Sequence, residues 1–145
     1  MIYLGGPYTS ATLENHKLNI GRLLSYKIWI YIDTDEQDIP VICWPLETAG
    51  FDYGQRLTYL PWLQMAMEIA KYCSMAAFVP GWQSSEGSKK EVDLFEKLSV
   101  PVKLLPRMSL DTIKRVRTEL YKMGRHCHYG TWAKAYLKQV ENGNA

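Results

Sequence analysis

The sequence predicts an α/β fold built on a parallel sheet. Short apolar runs alternate with longer segments of helical period, and two of those runs end in glycine-bearing turns just before a helix. The turns are Gly5-Gly6-Pro7-Tyr8, near the start, and Gly81-Trp82-Gln83-Ser84-Ser85-Glu86-Gly87, past the middle. Small residues where a strand gives way to a helix expose backbone amides at the carboxyl edge of a sheet. Open α/β folds bind phosphates and nucleosides there. With 145 residues, 47% of them hydrophobic, the chain can bury a core as one domain.

Ile2-Tyr3-Leu4 is short, apolar and followed by glycines, as a strand buried on both faces should be. Leu13, Ile20, Leu23, Leu24, Ile28 and Ile32 then recur at helical spacing, which predicts a helix from about Ala11 to Ile32. An acidic loop, Asp33 to Asp38, leads to a second strand, Ile39 to Trp44, closed by Pro45. Glu47 to Arg56, with Gly50 and Gly54, reads as a long loop before a helix from Tyr59 to Tyr72, where Pro61 fits only the first turn. Met75 to Val79 is a third strand. The glycine-serine loop feeds a helix from Ser88 to Leu98, and Val102 to Leu105 forms a fourth strand between Pro101 and Pro106.

Two helices finish the chain. Leu110, Ile113, Val116, Leu120 and Met123 stripe the first before Gly124, and Tyr129, Trp132, Ala133, Tyr136, Leu137 and Val140 stripe the second. Either stripe can pack on the sheet or on another subunit. The architecture expected is Rossmann-like (flavodoxin-like): four to five parallel strands, helices on both faces, right-handed crossovers, and two C-terminal helices. Residues 1–106 form the α/β domain and 107–145 a helical extension.

No apolar run is long enough to span a bilayer, and glycines and Pro7 interrupt the only early apolar stretch, so a soluble cytoplasmic protein without a membrane partner is expected. Cys43, Cys73 and Cys127 are odd in number and widely spaced, hence free thiols. His126-Cys127-His128 lacks a nearby fourth ligand and reads as a polar helix–helix turn, so neither metal nor organic cofactor is expected. The net charge of +2 hides an asymmetry. Residues 1–106 hold nine Lys/Arg against twelve Asp/Glu, whereas 107–140 hold eight against two. Amphipathic helices commonly carry a solvated cationic face, so a nucleic-acid partner is not the expectation.

The second turn carries the chemistry. Ser85-x-Gly87-x-x-x-Glu91 sets a hydroxyl and a glycine ahead of a carboxylate in the first turn of the next helix. Held above the strand ends, such a carboxylate can attack a sugar carbon and form an ester, and the helix dipole would keep it ionised. The same letters have a structural reading: Ser88-x-x-Glu91 spells a capping box, with Glu91 bonded back to the Ser88 amide. Spacing alone favours the cap. Tyr8 and Trp82 can stack on a base and Arg22 can meet a phosphate, although core packing and solvated surface explain them as simply.

Tyr3-Leu4-Gly5-Gly6-Pro7-Tyr8, then Gly81-Trp82-x-x-Ser85-x-Gly87-x-x-x-Glu91 and Val100-Pro101-Val102, resemble the nucleoside 2-deoxyribosyltransferase superfamily. The likeness is to its small, often phage-borne branch, and the superfamily includes deoxynucleoside 5′-monophosphate N-glycosidases. It covers residues 1–106. The resemblance implies that Glu91 is the nucleophile at the sugar C1′, that Ser85, Gly87 and the adjoining Ser88 hold the sugar or its phosphate, and that Gly5, Gly6 and Tyr8 line the nucleoside pocket. It also implies a homo-oligomer whose neighbouring subunit completes that pocket. Where family members carry aspartates around the start of the third strand, this chain has Cys73-Ser74, and Glu68 is the one acid of the preceding helix and the candidate general acid.

The function expected is cleavage or exchange of an N-glycosidic bond in a 2′-deoxynucleoside or its monophosphate. The missing aspartates favour an alternative, a protein that binds a nucleotide without cleaving it. A third reading is a nucleic-acid-binding module built on the basic tail.

Overall fold

The computed structural model describes residues 1–8, 10, 12–33, 39–48, 59–124 and 129–143, with backbone alone at 47, 48 and 59–63. Strands β1 (Ile2–Gly5), β2 (Val41–Ile42), β3 (Met75–Phe78) and β4 (Val102–Leu104) form one parallel sheet in the order β2-β1-β3-β4. Helices α1 (Leu13–Asp33), α2 (Trp44–Thr48), α3 (Tyr59–Ala70), α4 (Glu86–Lys97), α5 (Leu110–Met123) and α6 (Gly130–Glu141) accompany it. This is the α/β, Rossmann-like class the alternating pattern predicts, at the lower of its two strand counts. The acidic loop at 34–38, the glycine loop at 49–56 and the His126-Cys127-His128 stretch lie outside the described residues.

One element differs from expectation. The second strand is only two residues long, and Trp44–Thr48 is helical instead of strand and loop. Pro45 explains both: its fixed φ suits the first turn of a helix as well as it ends a strand, and the Leu46 amide turns back onto the Cys43 carbonyl at 2.9 Å.

Contacts group the chain into two compact units, Met1–Pro7 with Asp38–Leu105, and Tyr8–Gln37 with Pro106–Ala145. The first holds the sheet with α2, α3 and α4. Its core is Tyr3, Ala70, Cys73, Ala76, Phe78, Val92 and Phe95, with the Tyr3 and Phe95 rings 4.9 Å apart. Cys43 and Cys73 are buried and in no disulfide.

The second unit is helical. The stripes of α5 and α6, whose partner the sequence leaves open, pack on α1 and on each other. Gly21 sets the closeness of the α1–α6 crossing, since a Cβ there would lie 2.2 Å from the Trp132 carbonyl oxygen. Buried Ile20, Leu23 and Tyr26 of α1 share the unit with Ile113, Val116, Leu120, Ala133 and Leu137, and the Tyr26 hydroxyl donates to the Pro106 carbonyl at 2.8 Å. Among the described residues no helix is long and apolar enough to cross a membrane.

Candidate active site

In the order β2-β1-β3-β4 the chain leaves β1 toward one side and β3 toward the other, so the carboxyl ends of these two neighbours form the switch point of the sheet. Gly5, the last residue of β1, stands in register with Phe78, the last of β3. Glu91 of α4 reaches this place. The residue is 7% exposed, and the Tyr3 hydroxyl donates to its Oε2 at 2.9 Å. Oε1 makes no hydrogen bond among the described residues.

Residues of one strand alternate faces, so Tyr3 and Gly5 look the same way, toward α4. Gly5 is required there by space. A Cβ on it would lie 2.5 Å from the Phe78 ring and 3.0 Å from Glu91 Oε2. Gly6, also buried, continues the turn.

The segment before α4 decides which part of the helix Glu91 occupies. Gly81 takes a left-handed φ of 91° and opens a short 3-10 turn, Trp82–Ser84. That turn delivers Ser85, not Ser88, to the N-cap, where its Oγ accepts from the Ser88 amide at 3.2 Å. The capping-box reading of Ser88-x-x-Glu91 is therefore overturned, and Glu91 is the sixth residue of the helix, in its second turn. A helix dipole acts mainly within the first turn. Burial outweighs it and pushes the Glu91 carboxyl from its ordinary 4.5 up to about 7, with the Tyr3 hydroxyl holding it partly back. The expectation of a carboxylate kept fully ionised at neutral pH does not hold. Tyr3 in turn rises well above its usual value through burial and the adjoining Glu91 charge.

Ser85 and Gly87 are half-buried around the start of α4, and Ser88 is buried, at 2% exposure. Trp82 is half-buried and packs against the core, its ring 6.3 Å from that of Phe78. Tyr8 and Arg22 belong to the helical unit. There the Tyr8 carbonyl accepts from His16 Nδ1 at 3.0 Å and Asn19 Nδ2 at 3.3 Å, and the Arg22 guanidinium lies 5.6 Å from the Tyr136 ring centre.

Glu68 lies in the last turn of α3, exposed and bridged to Lys71 at 2.8 Å. That turn leads into the start of β3, and the Ser74 amide just before β3 donates to the Met1 carbonyl at 2.8 Å. Cys73 and Ser74 are thus at the amino edge of the sheet, the whole of β3 away from the Gly5–Phe78 end, roughly 10 Å at the usual rise. Tyr3 is the site residue that sequence reasoning missed. Its one signal is a hydroxyl on a strand buried on both faces, which must find a partner. Among the described residues no group of three His, Cys, Asp or Glu could hold a metal ion.

Residues 45–104 match the model of a protein family described as a domain of unknown function, DUF4406. The match spans α2 to β4 and includes Ser85, Gly87 and Glu91, but not β1. No curated protein and no solved structure matches the chain.

Proposed function

We propose that the protein cleaves or exchanges the N-glycosidic bond of a 2′-deoxynucleoside or its 5′-monophosphate through a glycosyl–Glu91 ester. One observation carries the reading: a buried carboxyl at the β1/β3 switch point, with one oxygen held by Tyr3 and the other uncommitted. The likeness of the Gly5-Gly6-Pro7-Tyr8 and Ser85-x-Gly87-x-x-x-Glu91 turns to the nucleoside 2-deoxyribosyltransferase superfamily supports it further.

In the first step Glu91 Oε1 bonds to C1′ as the C1′–N bond breaks, and the base leaves with the electron pair and takes up a proton from water. In the second, water attacks C1′ and returns the carboxylate, or a second base does so and the outcome is exchange. Glu68, tied to Lys71 in the last turn of α3, is not the group we assign to protonate the base. Tyr3 fixes the carboxylate and favours its charged form. A homo-oligomer is part of the proposal, by the same likeness.

The test is chromatography of the protein incubated with ribo- and deoxyribonucleosides and their 5′-monophosphates, watching for free base. Base release from one deoxy class is expected, with turnover lowered by at least about a thousandfold in Glu91→Gln and an unchanged circular dichroism spectrum. Turnover that survives Glu91→Gln sinks the mechanism. The second reading, a nucleotide-binding protein without turnover, is favoured by Cys73-Ser74 in place of the aspartates. It predicts saturable binding with no base released after long incubation.

A further inference from the structure

The packed stripes of α5 and α6 account for most of their apolar residues, Leu110 and Met123 staying exposed, but not for the seam on their outer side. Lys134 Nζ lies 4.7 Å from the ring centre of Tyr121, and Arg117 bonds to Glu141, so α6 runs back along α5 and both helices contribute to one surface. Tyr121 is 71% exposed although it is a large aromatic residue. Lys114 lies two turns before Tyr121 on the same stripe of α5, and Lys138 one turn after Lys134 on α6. Lys114 and Lys138 are exposed and make no ion pair among the described residues. The acids of α5 and α6 are Glu141, committed to Arg117, Glu119, committed to Lys122, and Asp111 in the first turn of α5.

We propose that this seam binds single-stranded nucleic acid, with Tyr121 stacking on a base and Lys114, Lys134 and Lys138 meeting phosphates. The chemistry matches what such a strand offers. Every base has a flat face for an exposed ring, and the backbone carries a charge at each step for a line of lysines. The seven steps from Lys114 to Tyr121 rise about 10 Å, enough for two to three nucleotides. An anionic membrane fits less well. A helix lying in a lipid surface inserts its apolar face, and here Ile113, Val116 and Leu120 are buried inside the helical unit.

The experiment is fluorescence anisotropy of a fluorescein-labelled oligothymidylate of about twelve nucleotides with the full chain, between about 50 and about 200 mM salt. Three phosphate contacts predict that the logarithm of affinity falls against that of salt with a slope of about −2. Lys134→Glu with Lys138→Glu should weaken binding at least about tenfold, and Tyr121→Ala about tenfold, each with helical circular dichroism retained. If the lysine pair variant loses helicity, Lys114→Glu takes its place. Glu91→Gln should bind the strand as the natural chain does, which separates this surface from the nucleoside site. Absence of saturable binding at the lowest salt overturns the proposal, as does an affinity indifferent to the lysine and tyrosine changes. Sedimentation with phosphatidylserine vesicles by a chain that ignores the oligonucleotide overturns it too.

Discussion

At the scale of single residues, the fold is set against itself at Glu91. The carboxyl titrates near 7 in the folded chain and at an ordinary 4.5 when unfolded, because burial disfavours its charge more than the Tyr3 hydroxyl restores it. The folded state therefore holds a proton that the unfolded state has lost between pH 4.5 and 7. Stability present at low pH is given up as pH rises through that window, on the order of 3 kcal/mol for this one group. The proposed reaction makes the opposite demand, since only a carboxylate can attack C1′. Two readouts should mirror each other: kcat/KM rises through about pH 7 as the contribution of Glu91 to stability falls. Denaturant titrations from pH 5 to pH 8 check the second half. Glu91→Gln is expected to remove most of this slope, and a slope that persists in the variant would mean another group titrates there. A pocket that spends stability on a charged group is the usual arrangement where a group is kept for chemistry.

At the scale of elements, termini decide what each helix presents. The end of α4 is a complete Schellman motif: the Val100 amide donates to the Phe95 carbonyl at 2.9 Å and the Ser99 amide to Glu96 at 3.1 Å. Ser99 occupies the left-handed position at φ 56°, where a side chain costs about 1–2 kcal/mol and glycine nothing. Glycine loses more entropy on folding, so the net gain for Ser99→Gly is about 0.5–1 kcal/mol, and Ser99→Val should lose at least about as much. Urea midpoints with unchanged slopes measure both, and a Ser99→Gly midpoint at or below that of the natural chain refutes the strain argument.

The start of α4 shows why the site was only half legible in the sequence. The letters Ser88-x-x-Glu91 match a capping box, but a 3-10 turn opened by Gly81 brings Ser85 to the cap instead, and no local pattern distinguishes the two serines. The β2 region failed for a similar reason, because Pro45 both ends strands and begins helices. What local pattern could deliver, it did: three strands and five helices lie within a few residues of their predicted places. The Tyr3–Glu91 bond joins residues 88 apart and belongs to tertiary structure alone.

At the scale of the whole molecule, the same limit governs how the chain is divided. The family match ends at residue 104, and on that ground alone the last two helices would be an appendage. The contacts say otherwise for α1. This helix sits before the second strand in sequence, yet it groups with α5 and α6. Its Gly21 lies against the Trp132 backbone, its Tyr26 hydroxyl is bonded to the Pro106 carbonyl, and its Asp33 pairs with Arg115. A chain ending at Leu105 keeps every residue of the sheet but leaves α1 without Val116, Leu120 and Leu137, each of which contributes about 1.5–3 kcal/mol of burial. That loss is comparable to the entire stability of an ordinary domain. The truncated chain is therefore expected to aggregate or to bind a hydrophobic dye, with no cooperative thermal transition, although it retains Tyr3, Gly5 and Glu91. A soluble 1–105 fragment with a sharp transition and intact α1 helicity would show that α1 has a sufficient partner elsewhere, and that the C-terminal helices are dispensable for folding.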